Sequence, residues 1–132
     1  QYNVNNPLKI DNIGPYPFNI SRNRVTEEDA KVVILDAKHP LLNTPNKITE
    51  KDFENWIQER GLYFLTNFDQ NYTPLLQMAD KGDNPGNGSL LVADYGKGKF
   101  VYTSLSFFRQ LPAGVPGAYR LFVNLISAGS AR

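Results

Sequence analysis

The 132-residue sequence contains no cysteine and only one histidine. The lack of cysteine excludes disulfide bonds, thiolate nucleophiles and cysteine-ligated zinc, but it leaves the cellular compartment open. A zinc site would need His39 together with carboxylates for all of its other protein ligands. The sequence therefore predicts no metal site and no cofactor in this chain.

Long apolar runs and an excess of charge of either sign are also lacking. No run approaches the length of about 20 apolar residues that a membrane-spanning helix needs, and residues 1–4 show no signal-peptide pattern. Fourteen Lys and Arg against thirteen Asp and Glu give a net charge of +1. Because these charges are scattered rather than gathered into a basic stripe, the sequence argues against a nucleic-acid partner.

The clearest folding signal runs from Gly96 to Ile126, which predicts a turn, a strand, a loop and a helix. The β-branched and aromatic residues of 100–105 are typical of a strand, and 106–117 is the predicted loop. The helix is predicted from residue 118, and the spacing of its apolar residues predicts a buried face made of Ala118, Leu121, Phe122, Leu125 and Ile126. Tyr119, Arg120 and Asn124 are left on the other side. Loops that leave the carboxyl ends of strands often bind ligands in open α/β sheets, so a site is expected in 106–117.

Further elements are predicted from local patterns. Strands are expected at 31–35, 62–65, 73–78 and 89–95, and residues 75–105 are expected to form an antiparallel meander. Thr49 and Asp52 match a capping box. It would begin a short helix that ends before Gly61 and carries Phe53, Trp56 and Ile57 on one face.

The domain prediction is one α/β domain over residues 1–132, or the carboxy-terminal part of one. Residues 1–24 are rich in Asn, Pro and Gly and predict an extended arm over the core. Residues 128–132 predict a tail that frays.

The segment 107–110 is the main candidate for ligand binding. Aromatic rings beside an arginine suit sugar rings, carboxylates or a protein partner, and the candidate residues are Phe107, Phe108, Arg109 and Gln110. The alternative is that both phenylalanines are core residues and Arg109 pairs with an acidic neighbour. Polar contacts to the same site would come from Asn67, Asp69 and Tyr72 if the strand at 62–65 ran parallel to the strand at 100–105.

The lone His39 is a second candidate, because Asp36 and Lys38 lie near it in the sequence and suit proton transfer. The alternative is a structural ring that caps a loop carbonyl. Two other patterns are weaker evidence for a functional site. The 96–99 stretch GKGK precedes a strand and lacks the residue spacing of a phosphate-binding loop. Ser104 and Ser106 lack the sequence pattern of a nucleophile elbow.

Three stretches of the chain carry a family resemblance: YPFNISRNRVTEEDA (16–30), HPLLNTPNKITEKDFENWIQERGLYFLTNFD (39–69) and SLSFFRQLPAGVPGAYRLFVNLI (104–126). Together they resemble the carboxy-terminal region of multidomain bacterial proteins of the PIG-L (LmbE-like) deacetylase family, found in Bacteroidetes and relatives. The resemblance implies a flavodoxin-like α/β fold of the class I glutamine-amidotransferase type, with a sheet flanked by helices and incomplete at its amino terminus. It also implies a longer parent protein, a zinc-dependent N-acetylglucosamine deacetylase, and favours an exported or periplasmic location.

The catalytic residues of both families are missing from this chain. The deacetylase pattern His-Pro-Asp-Asp does not occur, because His39 and Pro40 are followed by Leu41 and Leu42. The nucleophilic cysteine of the amidotransferases is absent too. No catalytic residue is therefore assigned, and zinc is expected only in the parent's catalytic domain.

The leading hypothesis is a non-catalytic accessory domain that assists glycan binding or packs on that catalytic domain. The alternatives are a small hydrolase that uses His39 with nearby carboxylates, and a purely structural or oligomerisation domain. The partners expected are the catalytic domain or another subunit, and a glycan.

Overall fold

A computed structural model describes residues 13–129, which form a mixed α/β structure of small antiparallel sheets and two α-helices. The strands in this part of the chain are β1 (Asn19–Ile20), β2 (Arg24–Val25), β3 (Val32–Ile34), β4 (Gly61–Leu62), β5 (Leu65–Thr66), β6 (Thr73–Pro74), β7 (Leu76–Met78), β8 (Leu90–Tyr95) and β9 (Gly98–Thr103). The helices are α1 (Phe107–Gln110) and α2 (Pro116–Ile126), with 3₁₀ turns at Pro40–Leu42 and Glu50–Phe53. The α/β prediction is confirmed, and no helix within 13–129 is long and apolar enough to span a bilayer.

Every strand pairing within 13–129 is antiparallel: β1 with β5, β2 with β4, β3 with β7, and β6–β8–β9 as a three-stranded sheet. The β8–β9 hairpin is confirmed, and Gly96 in its turn has a φ of 58°, which glycine adopts without strain.

The meander predicted for 75–105 is wrong at its first strand. The run 73–78 divides at Leu75, whose N–H donates to the Leu90 carbonyl at 3.0 Å while its own carbonyl accepts from the Leu35 N–H at 3.0 Å. Pro74 has no N–H to continue a ladder. The chain therefore leaves the β8 sheet after β6 and pairs with β3 through β7.

The strand predicted at 62–65 is wrong as a continuous element. It is divided into β4 and β5 by Tyr63, which has a φ of 64°. β4 pairs with β2, and β5 pairs with β1. Because of the bend at Tyr63, the segment 61–66 can therefore pair with both strands of the segment 19–25.

The capping box is confirmed, because the Thr49 N–H donates to the Asp52 carboxylate at 2.9 Å and the Thr49 hydroxyl accepts from the Lys51 N–H at 3.3 Å. The predicted continuation of this helix to Ile57 is wrong, since the 3₁₀ turn ends at Phe53. Left-handed φ values of 63° and 64° at Asn55 and Gln58 are incompatible with a helix.

The predicted buried face of α2 is also wrong in part. Phe122 is at the surface and Ile126 is 68% exposed, whereas Asn124 is fully buried. The helix turns this way because Gly117 lies against the Glu50–Phe53 turn: a Cβ at this position would be 1.8 Å from the Asp52 carbonyl oxygen. The loop 106–117 is corrected as well, because it contains α1 and α2 begins at Pro116, where a proline suits the first helical position.

Strand β8 lies between two hydrophobic clusters, with Leu90 and Val92 facing one and Leu91 and Ala93 facing the other. The alternation follows from the period of two along a strand. The larger cluster lies under α2, and the smaller contains aromatic residues of 16–20. Residues 1–12 of the predicted arm and 130–132 of the predicted tail lie outside the described residues.

Candidate functional site

Phe107, predicted as a ligand-binding residue, is part of the core. Its ring centroid lies 5.9 Å from that of Trp56 and 5.6 Å from that of Phe122, and its side chain is buried. The ring anchors α1 between the irregular 54–60 segment and α2. It is not available to a ligand.

Gln110, also predicted to bind a ligand, is fully buried and bonded to the main chain. Its Oε1 accepts from the Ile57 N–H at 2.8 Å, and its Nε2 donates to the Ile57 carbonyl at 2.9 Å and to the Ser106 hydroxyl at 3.0 Å. Since residues 54–60 have no regular structure, this amide supplies partners that a helix or sheet would otherwise provide. Its role is structural.

Phe108 and Arg109 are the two residues of this segment that reach the surface. The Phe108 side chain is 46% exposed. The Arg109 Cζ lies 5.0 Å from the Phe108 ring centroid, and its Nε donates to the Glu59 carboxylate at 2.7 Å. Each of the two alternatives is therefore right in part. Phe107 is a core residue and Arg109 has an acidic partner, whereas Phe108 is exposed.

The exposed side of α2 adjoins these residues, and the exposure of Phe122 and Ile126 on it was not predicted. We define the α2 outer face as Tyr119, Phe122, Val123 and Ile126, all exposed. Their spacing of i, i+3, i+4 and i+7 places them along one stripe. The Tyr119 hydroxyl donates to the Leu111 carbonyl, and Phe122 contacts Phe107, so the stripe continues onto α1. The signal in the sequence was that apolar residues occupy both sides of this helix.

Asn67, Asp69 and Tyr72 lie in a different part of the structure. They were expected to contribute to the site only if the segment 62–65 ran parallel to the segment 100–105. Gly61 forms an antiparallel bridge with Leu105, so the two segments are not parallel. Asp69 accepts from the Asn71 N–H at 2.8 Å. Tyr72 is buried, and its hydroxyl donates to the Tyr16 carbonyl at 2.7 Å and accepts from the Tyr16 N–H at 3.1 Å. Asn67 is exposed, with a φ of 48°.

His39 caps the Pro40–Leu42 turn. Its Nδ1 accepts from the Leu41 N–H at 3.1 Å, so the ring caps an amide and not the carbonyl that the structural alternative expected. Burial lowers the pKa of His39, opposed in part by Asp36, and this favours the neutral ring. One nitrogen is therefore committed to the backbone, and Nε2 alone remains for other chemistry.

The eight candidate residues thus occupy separate settings: α1, the segment 67–72 and the beginning of the Pro40–Leu42 turn. Within residues 13–129, no group of three or more His, Asp or Glu side chains is arranged to hold a metal ion. The surface formed by Phe108, Arg109 and the α2 outer face is the candidate site that the geometry supports.

Comparison with known proteins adds no further assignment: no family model, no curated protein and no solved structure matches this chain.

Proposed function

We propose that the chain is a non-catalytic accessory domain of a PIG-L-type N-acetylglucosamine deacetylase and packs on the catalytic domain through the α2 outer face. The flavodoxin-like fold and the longer parent protein belong to the same proposal and rest on the resemblance of 16–30, 39–69 and 104–126. The observation that carries the packing role is the row of exposed apolar side chains on α2.

Contiguous exposed apolar residues on an otherwise polar surface favour an interface. Two of the four side chains are aromatic, and aromatic residues contribute much of the binding energy at protein interfaces. Phe122 rests on the buried Phe107, so it is held in place before a partner arrives. Arg109 and Glu59 supply a polar edge beside the apolar stripe.

Packing is tested by sedimentation velocity of the 132-residue chain mixed with a PIG-L-type catalytic domain. We expect a one-to-one complex that Phe122→Asp/Ile126→Asp weakens by at least tenfold, because two charges would be buried against apolar surface. Val33→Asp/Leu35→Asp is the control, since these side chains, in β3 and directly after it, are similarly exposed, at 38% and 42%.

A wild-type chain that does not bind the catalytic domain would contradict the packing role. Self-association through α2 without binding to the catalytic domain would favour the oligomerisation hypothesis instead.

The glycan-binding version of the proposal uses Phe108 and Arg109. An exposed ring beside a guanidinium suits the face of a sugar ring and its hydroxyls. N-acetylglucosamine oligomers should bind the wild-type chain, and Phe108→Ala/Arg109→Ala should weaken this binding at least tenfold in calorimetry. Tyr95→Ala, which removes another exposed aromatic ring on the β8–β9 hairpin, is the control. Equal affinity of both variants for the oligomers would contradict glycan binding through Phe108 and Arg109. The packing role would not be affected, because the sedimentation experiment tests it.

A further inference from the structure

A cleft of about 580 Å³ lies on a different surface, between residues 22–26 and the 78–86 loop. Val25, Phe64 and Met78 are its buried apolar lining. The polar side chains that line it are Arg22, Asn23, Arg24, Thr26, Asp80, Asp83 and Asn84. The volume is in the usual range for a small-molecule site.

The two walls are held together by hydrogen bonds. Both Asp80 carboxylate oxygens accept from Thr26, whose N–H lies 2.8 and 2.9 Å from them and whose hydroxyl lies 2.8 Å from Oδ2. Asp80 Oδ1 also accepts from the Glu27 N–H at 2.8 Å, and Glu27 accepts from the Lys81 N–H at 2.8 Å. At the base, Met78 and Gly86 exchange backbone hydrogen bonds of 3.0 and 2.9 Å.

These hydrogen bonds use the lone pairs of Asp80, a carboxylate close enough to Arg24 to interact with it electrostatically. Burial by itself would raise the pKa of Asp80, but the hydrogen bonds from Glu27 and Thr26 outweigh it and lower the pKa. Asp80 is therefore an anion whose acceptor capacity is taken up by the protein. It compensates part of the charge of Arg24 without forming an ion pair with it.

The side chains of Arg22 and Arg24 make no hydrogen bond or ion pair with any residue of 13–129, although the backbone of Arg24 belongs to the β2–β4 pair. By contrast, Arg109 and Arg120 pair with carboxylates, and Arg60 donates to the carbonyls of Ala30 and Phe53. Arg22 and Arg24 thus line a cleft whose walls are already fixed, and the donors of their guanidinium groups are free within residues 13–129. Guanidinium forks bind carboxylate and phosphate oxygens in pairs.

We propose that this cleft binds a small hydroxylated oxyanion, a sugar acid or a sugar phosphate. Arg22 and Arg24 hold the oxyanion. The amides of Asn23 and Asn84 on the two walls provide donors and acceptors for ligand hydroxyls, and Asp83 disfavours ligands that carry a second anionic group on its side. The site does not depend on the proposed accessory role, because it shares no residue with the α2 outer face.

The test is titration of the isotope-labelled 132-residue chain with glucuronate, glucose 6-phosphate and neutral glucose, followed by NMR. We expect the amide signals of Thr26, Asp80 and Gly86 to shift with one or both anions at millimolar concentration, and glucose to bind at least tenfold more weakly. Arg22→Gln/Arg24→Gln should lower the affinity tenfold or more, since charge-assisted hydrogen bonds are lost. Lys31→Gln/Lys97→Gln removes the same net charge elsewhere and should leave the affinity within twofold.

Binding of glucuronate alone identifies a carboxylate ligand, and binding of glucose 6-phosphate alone identifies a phosphate ligand. Either result supports the oxyanion site. The proposal is overturned if neither anion shifts these signals, if glucose binds equally well, or if both double variants weaken binding to the same extent. Thermal melts of the variants show whether a loss of binding comes from unfolding.

Discussion

The two faces of strand β8 are covered in different ways. The face with Leu90 and Val92 lies under α2 in a cluster of mostly fully buried residues, many of them aliphatic. The face with Leu91 and Ala93 has few buried neighbours, and most residues packed around it are partly buried and mainly aromatic: Tyr16, Phe18, Ile20 and Phe68, together with Phe100 and Tyr102 of the adjacent strand β9. The backbone hydrogen bonds of a helix are made within the helix, whereas the irregular segment 13–18 has no such internal hydrogen bonds.

The buried polar groups differ accordingly. Under α2, the Asn124 amide satisfies loop backbone: its Oδ1 accepts from the Asn46 N–H at 2.9 Å and its Nδ2 donates to the Leu41 and Asn46 carbonyls at 2.9 and 2.7 Å. On the other face, tyrosine hydroxyls form the hydrogen bonds with the backbone. Tyr72 is bonded to the backbone of Tyr16, and the Tyr102 hydroxyl donates to the Tyr63 carbonyl at 2.7 Å. The comparison indicates that the α2 side contributes more to global stability and the aromatic side to holding the 13–20 segment.

The largest effect is expected for Trp56→Ala. Trp56 is buried between Phe53 and Phe107, at centroid distances of 5.4 and 5.9 Å, and its Nε1 donates to the Asp52 carbonyl at 2.9 Å. The change should lower the free energy of unfolding by about 3–5 kcal/mol, because it leaves a large cavity. Phe18→Ala on the aromatic side should cost less than half as much, since Phe18 is only partly buried. Urea unfolding measures both, and equal losses would remove the proposed difference between the two sides.

Asn124→Leu should have the next largest effect. The substitution keeps the branched shape of the side chain but removes the partner of the Asn46 N–H and of the Leu41 and Asn46 carbonyls, at about 1–3 kcal/mol for each of these groups that finds no water. A total loss of roughly 2–4 kcal/mol in chemical unfolding is expected. Asn87→Leu is the matched control at an exposed position, and it should change stability by less than about 0.5 kcal/mol. A neutral Asn124→Leu would show that burial and not hydrogen bonding fixes the loop.

Tyr72→Phe should have the smallest effect on stability and a distinct pH signature. Loss of the hydroxyl leaves the Tyr16 N–H and carbonyl without this partner and should cost about 1–2 kcal/mol at pH 7. Burial raises the pKa of Tyr72 in the folded protein above the unfolded value of 10.0. The unfolded chain therefore loses this proton first, and the stability due to Tyr72 declines as the pH rises above about 10.

The measurement is unfolding between pH 7 and 11 with wild-type and Tyr72→Phe chains. The variant should lose less stability than the wild type over the alkaline part of this range. Tyr95→Phe, at an exposed position, should not alter stability at pH 7. Identical alkaline slopes for the wild type and Tyr72→Phe would show that the Tyr72 hydroxyl ionises alike in both states.

The candidate site shows where sequence reasoning reached its limit. The pattern of 107–110 predicted a functional segment, but it did not separate Phe108, which is exposed, and Arg109, which is partly exposed, from Phe107 and Gln110, which are buried. Neighbours in sequence project in different directions from a short helix, and the direction depends on where α1 docks. The arginines of the 22–26 segment were not singled out, because the opposite wall of their cleft lies more than fifty residues along the chain.

The sequence by itself determined the local elements whose signals lie within a few residues. These are the strand at 32–34, the β8–β9 hairpin with its glycine turn, the Thr49 capping box and the presence of a carboxy-terminal helix. Each depends on backbone propensity or on hydrogen bonds between near neighbours.

Only the tertiary structure decided which strands pair, which side of α2 is buried and which polar residues lie inside. Gly117 and Asn124 orient the helix through contacts with Asp52, Asn46 and Leu41, residues far from it in sequence. The helical periodicity of a sequence depends on the positions of its apolar residues. It does not indicate where a buried side-chain amide forms hydrogen bonds with the backbone of a distant loop. The hydrogen bonds of Asn124 with this distant backbone determine which face of α2 lies against the core. They thereby also determine which face of α2 is exposed.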